Sequence, residues 1–181
     1  MRRALPIAVV PLALIGCGNE RTAVPDVRHA DAPKGTHTVR LGDGTSVRAP
    51  ANWSILAVEG ARSGGVQSKT ATLAVWRYPR SEPLPETAEE LDAARTRLEQ
   101  RITERDASFE LTHSEVTKRA GADAIEVIGR ETIASLPFGV RSTHVFKGGQ
   151  EVVVDAYAPP EDFERVVSTV FEPAIASLEL P

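Results

Sequence analysis

Apolar residues recur at spacings of three and four in one part of the chain. This stripe consists of Leu91, Ala94, Leu98 and Ile102. Such spacing places the side chains on one side of an α-helix. Just before the stripe, Thr87 and Glu90 have the spacing of a capping box, in which each side chain binds the other residue's backbone amide. We therefore predict a helix from Thr87 to about Asp106 that packs on a sheet.

Elsewhere the apolar pattern has a period of two, which is typical of β-strands. Four such segments follow the predicted helix, at residues 109–118, 124–133, 140–147 and 151–158. Their connections are too short for parallel crossovers, so the four strands should form an antiparallel meander. Before the helix we predict a hairpin of residues 38–41 and 46–49, a short buried strand at 55–58, a loop at 62–70 and a strand at 71–78.

The chain ends with a second helical pattern. Proline at position 160, in the first turn, and the carboxylates Glu161 and Asp162 near the positive helix end favour initiation there. The apolar stripe that follows consists of Phe163, Val166, Val167, Val170 and Phe171. Pro173 predicts a break or kink near Glu172. The fold class is therefore α+β, an antiparallel β-sheet with helices packed on it.

The first sixteen residues have the pattern of a secretory signal peptide. Arg2 and Arg3 precede an uncharged run, residues 4–15, that is too short to span a hydrocarbon core of ~30 Å. The run ends in Leu14-Ile15-Gly16-Cys17, which resembles the lipobox of bacterial lipoproteins. The resemblance implies cleavage between Gly16 and Cys17, a diacylglycerol thioether on the Cys17 sulfur, and an acyl chain such as palmitate on the new amino terminus. The alternatives are a leader whose cysteine is incidental, or an internal start site.

A lipid on Cys17 would determine where in the cell the mature chain is located. The resemblance implies the cell envelope, with the protein anchored to a bacterial membrane and facing outside the cytoplasm. Cys17 is the only cysteine, so an intramolecular disulfide or a cysteine-ligated zinc site is excluded. Residues 17–36 are rich in proline, glycine and small polar residues without apolar periodicity, which predicts a flexible tether. Residues 37–181 then form a single domain.

The charge balance bears on possible partners. The chain has 21 basic and 25 acidic residues, and removing Arg2 and Arg3 with the leader leaves a net charge near −6. Nucleic-acid binding needs basic patches, so we expect no nucleic-acid partner. One flank of the predicted helix does carry Arg97, Arg101 and Arg105, four residues apart. On a tethered domain this row is a candidate contact for anionic lipid headgroups, at up to ~1 kcal/mol per cation; the alternative is a solvated helix face.

Catalytic motifs are absent from the sequence. We find no Gly-x-Ser-x-Gly, Ser-x-x-Lys, His-Glu-x-x-His or Gly-x-Gly-x-x-Gly pattern. His113 and His144 are predicted at similar heights on strands separated by one other, roughly 9–10 Å apart. They are either core or edge histidines, or a shared metal or acid–base pair. His29 and His37 lie in or beside the tether, where we expect no metal. The chain is therefore expected to be neither an enzyme nor a metal or cofactor protein, apart from its covalent lipid.

Two segments carry a further resemblance. Val47-Arg48-Ala49-Pro50-Ala51-Asn52-Trp53 is similar to the apolar-x-x-Pro-x-x-Trp opening of the PsbP/Mog family. The end of the chain, with Phe163, Phe171, Ile175 and Ser177-Leu178-Glu179-Leu180, resembles that family's closing helix. The resemblance covers about residues 37–181 and implies an α/β/α sandwich. Because the family's members bind other proteins rather than catalyse, it also implies a binding module, although no position matches a functional motif of the family.

The expected function is that of a membrane-anchored exported lipoprotein acting as a non-catalytic protein-binding or structural module, with an unknown protein partner. The alternative is a carrier of a small apolar ligand between sheet and helix, and a hydrolase with an unrecognised site is less favoured. A carrier predicts a large apolar cavity, and a binding module an exposed aromatic or apolar patch. An enzyme predicts a cleft with convergent titratable groups.

Replacement of Cys17 by serine tests the predicted anchor. Serine offers no thiolate for thioether formation, so the Cys17→Ser protein should be released from the membrane or stay unprocessed. Intact mass and membrane fractionation measure both outcomes. Unchanged mass and unchanged membrane retention in the variant would contradict lipidation.

Overall fold

The computed structural model describes residues 29–42, 44–57, 59–60, 62–78, 80 and 82–181. The elements follow in chain order as β1 (Thr36–Arg40), β2 (Ser46–Pro50), β3 (Ser54–Leu56), β4 (Arg62–Ser68), β5 (Ala71–Tyr78), α1 (Ala88–Arg105), β6 (Glu110–Arg119), β7 (Ala122–Ile133), β8 (Leu136–Lys147), β9 (Gln150–Ala158), α2 (Pro160–Val166), a π-helical turn (Val167–Phe171) and α3 (Glu172–Ala176). Within these ranges, every helix is too short or too polar to cross a bilayer.

One antiparallel sheet organises the fold. Its seven strands lie in the order β3-β4-β5-β9-β8-β7-β6, and β1 and β2 form a separate two-stranded hairpin. The predicted four-stranded meander is confirmed, since β6, β7, β8 and β9 pair with one another antiparallel in sequence order. Strand β9 also pairs with β5 and so joins the meander to the first part of the chain.

Helix α1 packs on one face of the sheet, as its apolar stripe predicts. The buried contact consists of Leu91 and Ile102 on the helix and Ile125, Val127 and Phe146 on the sheet, with Ala94 and Leu98 partly buried beside them. The capping box is confirmed. The Glu90 amide donates to the Thr87 hydroxyl at 3.2 Å, and the Thr87 amide donates to the Glu90 carboxylate at 3.0 Å.

The carboxyl-terminal helices cover the opposite face. Phe171 and Ile175 are fully buried there against the sheet, and the Trp53 ring meets Phe171 edge to face with centroids 6.4 Å apart. A buried ion pair joins the same layers, because Arg141 on β8 binds Glu126 at 2.7 Å and Glu172 at 2.5 Å. With helices on both faces, the predicted α+β architecture is confirmed.

Of the break or kink predicted near Glu172, the break does not occur, and the structure shows a change of helix type there. The helix instead continues through the π-helical turn, in which the Glu172 amide donates to the Val167 carbonyl five residues earlier. Pro173 has no amide hydrogen for an α-helical bond, and a single wider turn accommodates this without ending the helix.

Two predictions before α1 also need correction. Residues 62–68, predicted as a loop, form β4, which includes Gly64 and Gly65 at φ +139° and +157°. A Cβ at Gly65 would lie 2.2 Å from the Leu73 carbonyl oxygen, so glycine is what permits this close strand pairing. The buried strand predicted at 55–58 is a three-residue edge strand, Ser54–Leu56, with Ile55 61% exposed.

Residues 29–35, which we name the N-terminal strap, are bound to the domain although the sequence assigned them to the tether. Asp162 accepts a hydrogen bond from the Ala30 amide at 2.6 Å and contacts the His29 ring at 3.1 Å. Arg165 donates to the Ala30 carbonyl at 3.0 Å, and the Trp53 indole donates to the Asp31 carbonyl at 3.2 Å. The predicted tether cannot include the strap; residues 17–28 and the predicted signal peptide lie outside the described residues.

The charge on Asp162 explains how the strap is held. Burial raises the pKa of this carboxyl, but hydrogen bonds from Arg165, the Ala30 amide and His29 outweigh burial and hold the pKa below its usual range. A depressed carboxyl pKa stabilises the fold above the unfolded-state pKa, and that stabilisation is lost as pH falls through the folded-state value.

We expect Asp162→Asn to loosen the strap at neutral pH. Acidification of the parent protein should have the same effect, because it protonates Asp162. Loss of the charged acceptor should cost about 1.5–3 kcal/mol of local stability. Hydrogen exchange of the Ala30 amide measures this loss of local stability. Asp123→Asn, on the meander and far from the strap, is the control. An Ala30 amide equally protected in parent and Asp162→Asn proteins would contradict this account.

Candidate functional site: the groove beside helix α1

Helix α1 covers only part of the face on which it lies. It packs over β6 and β7, at one edge of the sheet. A helix is about 10 Å wide and strands are about 4.8 Å apart, so one helix covers roughly two strands. Phe146 of β8 still packs under the helix, but the rest of the same face of β8, together with β9 and β5, forms a depression beside the helix. We name this depression the α1 groove.

The floor of the α1 groove is polar and aromatic. Strand register places the following side chains on this one face: Trp76 and Tyr78 of β5, Ser142 and His144 of β8, and Glu151, Asp155 and Tyr157 of β9. Trp76 and Tyr78 stack with ring centroids 6.4 Å apart and planes at 15°. Tyr78 is 43% exposed, so part of this aromatic surface faces solvent.

The groove contains a cavity and two adjoining depressions. The cavity has a volume of about 160 Å³ and is lined by Tyr78, Ile102, Arg105, Ser142, Asp155 and Tyr157, among others. Depressions of about 330 Å³ and 50 Å³ continue from it along α1 and share Leu98 and His144 with it. The cavity alone is smaller than the roughly 300 Å³ at which pockets for drug-sized ligands begin.

A chain of hydrogen bonds runs along the floor. Arg80 donates to Glu151 at 3.0 Å, and the other Glu151 oxygen lies 2.7 Å from His144 Nδ1. His144 Nε2 lies 3.2 Å from the Ser142 hydroxyl, which lies 2.6 Å from Asp155. Because a carboxylate only accepts, the hydrogen of the His144–Glu151 bond is carried by Nδ1.

The two ends of this chain differ electrostatically. Burial raises the pKa of Glu151, but the His144 hydrogen bond and the charges of Arg80 and Arg101 outweigh burial and keep it below its usual range. At the other end, burial dominates and raises the pKa of Asp155. Burial likewise raises the pKa of Glu131 and of Tyr157 in the same cavity. Compared with exposed carboxyl groups, Glu151 is therefore shifted toward the charged form and Asp155 toward the protonated form.

Ser142, His144 and Glu151 have the order of a serine–histidine–acid arrangement, which bears on the enzyme alternative. The Ser142 hydroxyl also lies 2.6 Å from Asp155, so His144 is not its only hydrogen-bond partner. Strand β8 is paired on both sides, so its own backbone amides are used in the ladders and are not available to stabilise an oxyanion beside Ser142. The hydrogen bonds of Ser142, His144 and Glu151 hold the groove floor in place.

The arginine row predicted to contact headgroups forms the helix rim of the groove. Arg105 lines the cavity, and Arg97 and Arg101 line the adjoining depressions. Within the described residues none of the three makes an ion pair, whereas Arg95 on the other side of the apolar stripe binds Asp92 at 3.5 Å. Headgroup contact by this row stays a prediction.

The remaining predicted positions do not meet in one site. His113 pairs with Ile128 and His144 with Ile125, and positions three apart on β7 point to opposite faces. The predicted alignment of the two histidines is therefore wrong, and the bulge between Leu111 and His113 contributes to the difference. No three His, Cys, Asp or Glu side chains of the described residues converge as metal ligands would. Gly16 and Cys17 lie outside the described residues.

Sequence reasoning missed most of the groove. The predicted strands 71–78, 140–147 and 151–158 include Trp76, Ser142, Asp155 and Tyr157, but no sequence motif marks these residues as members of a site. The available signal was the repeated placement of polar residues at alternate positions of β8 and β9, two interior strands whose faces would otherwise be apolar.

Comparison with known proteins supports the fold. No protein-family model matches the sequence, and no curated protein matches it. Among solved structures, the cyanobacterial PsbP of Synechocystis sp. PCC 6803 is similar over 84% of this chain and 98% of its own, with 14% identity and a TM-score of 0.61. The chain has a PsbP-like fold.

Two further structures are similar at lower scores. LpqN of Mycobacterium tuberculosis, described as involved in cell envelope biogenesis, covers 80% of this chain and 89% of its own, with 13% identity and a TM-score of 0.52. A Pseudomonas aeruginosa protein of unknown function covers 82% of this chain and 99% of its own, with 14% identity and a TM-score of 0.52. Identities this low establish the fold and not a shared activity.

Asp155→Asn tests the electrostatics of the groove. A raised carboxyl pKa means that the folded protein holds its proton to higher pH than the unfolded chain, so stability falls as pH rises through that window. The amide cannot ionise, so Asp155→Asn should remove this fall and be the more stable protein at pH 7. Urea unfolding between pH 3 and pH 8 measures the free energy of unfolding of both proteins, with Glu115→Gln on β6 as the control. A parallel pH dependence in parent and variant would contradict the assignment.

Proposed function

We propose that this protein is a lipid-anchored, extracytoplasmic protein-binding module, and that the α1 groove receives a segment of its partner. The fold and its neighbours suggest a non-catalytic structural or binding role. The lipobox resemblance at Leu14-Ile15-Gly16-Cys17 supports the anchor, and the similarity to an envelope protein of Mycobacterium tuberculosis supports the location.

The observation that carries the proposal is the type of side chain in the groove. Trp76, Tyr78 and Tyr157 line its floor, and Arg101 and Arg105 stand on its rim. Tyrosine, tryptophan and arginine are the residues most enriched where proteins bind one another, because each combines a large contact area with a polar group. The groove is the aromatic patch expected of a binding module.

The same surface argues against an apolar carrier. A carrier requires a large apolar cavity between the sheet and α1. The cavity at that place is about 160 Å³ and includes Asp155, Ser142 and Arg105 in its lining. The adjoining depression of about 330 Å³ is lined by charged residues, among them Arg80, Glu82, Arg101 and Glu151. An apolar ligand would leave these polar groups without water or a partner, at a cost in free energy.

The rim indicates the chemistry of the partner segment. Arg101 and Arg105 have no carboxylate bound in the described structure, and each guanidinium can bind a carboxylate through two parallel hydrogen bonds. A partner segment with an acidic side chain, flanked by an apolar residue for the Tyr78 surface, fits both features.

Site-specific photocrosslinking in the native membrane tests the proposal. A photoreactive side chain at Tyr78 should capture a defined partner, whereas one at Ser168, exposed on α2's side of the molecule, should not. The double change Arg101→Glu and Arg105→Glu should reduce capture at Tyr78 by about tenfold or more, because like charges would oppose an acidic segment.

Arg48→Glu supplies the matched charge control, since Arg48 is exposed on the opposite side of the molecule. Capture that is equal at both positions, or that is insensitive to the groove arginines, would contradict binding in the groove.

A further inference from the structure

The β7–β8 hairpin extends beyond its neighbours in the sheet. Strand β6 pairs with β7 only as far as Arg130, and β9 pairs with β8 only as far as Gly139. The pairs beyond them, Glu131↔Phe138, Thr132↔Pro137 and Ile133↔Leu136, bond only to each other. Three further pairs project roughly 10 Å past the rest of the sheet. We name residues 132–137 the hairpin tip.

The hairpin tip is exposed and uncharged. All six of its residues are exposed, and its sequence is Thr-Ile-Ala-Ser-Leu-Pro. Ile133 and Leu136 are 40% and 49% exposed and face each other across the strands. In a chain with 25% charged residues, a projecting element without charge is the opposite of what solvent exposure favours.

The turn at the tip is also unusual. Ala134 and Ser135 have φ values of +49° and +67°, a conformation for which asparagine and glycine are the common choices. Neither residue relieves the strain with a glycine backbone, and neither adds a charge or an amide. The turn keeps a small, weakly polar end between two aliphatic residues.

The location of the N-terminal strap indicates what this tip faces. Asp162 holds His29 and Ala30 four residues after the end of β9, at the end of the sheet from which the hairpin projects. Cys17 is twelve residues before His29, so a lipid on Cys17 lies at most roughly 40 Å along the chain from this end. Arg105 shares a cavity with Glu131, two residues before Ile133, and so stands at the same end.

We propose that the hairpin tip is a second membrane contact, in which Ile133 and Leu136 enter the headgroup region of the bilayer that carries the lipid anchor. This inference rests on the proposed anchor at Cys17. It orients the molecule with this end of the sheet toward the bilayer and the α1 groove open to the side.

Fluorescence quenching in phosphatidylcholine vesicles tests the contact, using the full lipidated protein. A fluorophore on Ser135→Cys should be quenched by bromine-substituted acyl chains, several-fold more than one on Lys147→Cys at the opposite end of the sheet. Cys17 takes no label when its sulfur is a thioether. The double change Ile133→Asn and Leu136→Asn should abolish quenching at position 135, whereas Ile55→Asn, another exposed aliphatic residue, should not.

Intact mass separates the two ways in which the idea can fail. A lipidated Cys17 with no quenching at position 135 overturns the membrane contact and leaves the anchor standing. A free Cys17 thiol in protein from native membranes overturns the anchor, and this inference with it. Equal quenching at positions 135 and 147 also overturns the inference, because the tip would then have no defined orientation.

Discussion

The width of one helix limits what the sheet can bury. Helix α1 closes over β6, β7 and the Phe146 end of β8 through Leu91 and Ile102, and the width of an α-helix gives it no reach across β9 and β5. On the opposite face the carboxyl-terminal helices and the β1–β2 hairpin together cover the sheet. This difference in coverage decides where polar side chains are tolerated, and it produces the α1 groove.

Satisfaction of buried polar groups then decides the form of that groove. Each member of the chain from Arg80 through Glu151, His144 and Ser142 to Asp155 has a partner at hydrogen-bond distance. Such a chain fixes side chains that would otherwise move, because breaking one bond leaves a partly buried group unpaired. A rigid polar floor beside the exposed ring of Tyr78 is suited to recognition, since little side-chain freedom is lost on binding.

The two ends of the sheet carry different structural features. The strap, the start of α2, the end of α1 and the hairpin tip are all at one end, so a single anchored segment would bring four features toward the membrane together. Buried Arg141 binds buried Glu126 and half-exposed Glu172, and so connects the sheet to α3; Arg119 binds the same Glu126 at 3.1 Å. The groove lies on the face between these ends and stays accessible.

The sequence by itself determined the helices, the capping box at Thr87, the antiparallel meander and therefore the fold class, because these depend on the local spacing of apolar residues and on short connections. It also contains Leu14-Ile15-Gly16-Cys17, on whose resemblance to a lipobox the proposed anchor rests. Only the tertiary structure decided that Gly64 and Gly65 belong to a strand, that the strap is held by Asp162, and that Ser142 and Asp155 meet under an incomplete helical layer. Those outcomes depend on contacts between residues distant in the chain, and local periodicity contains no information about which strands become neighbours.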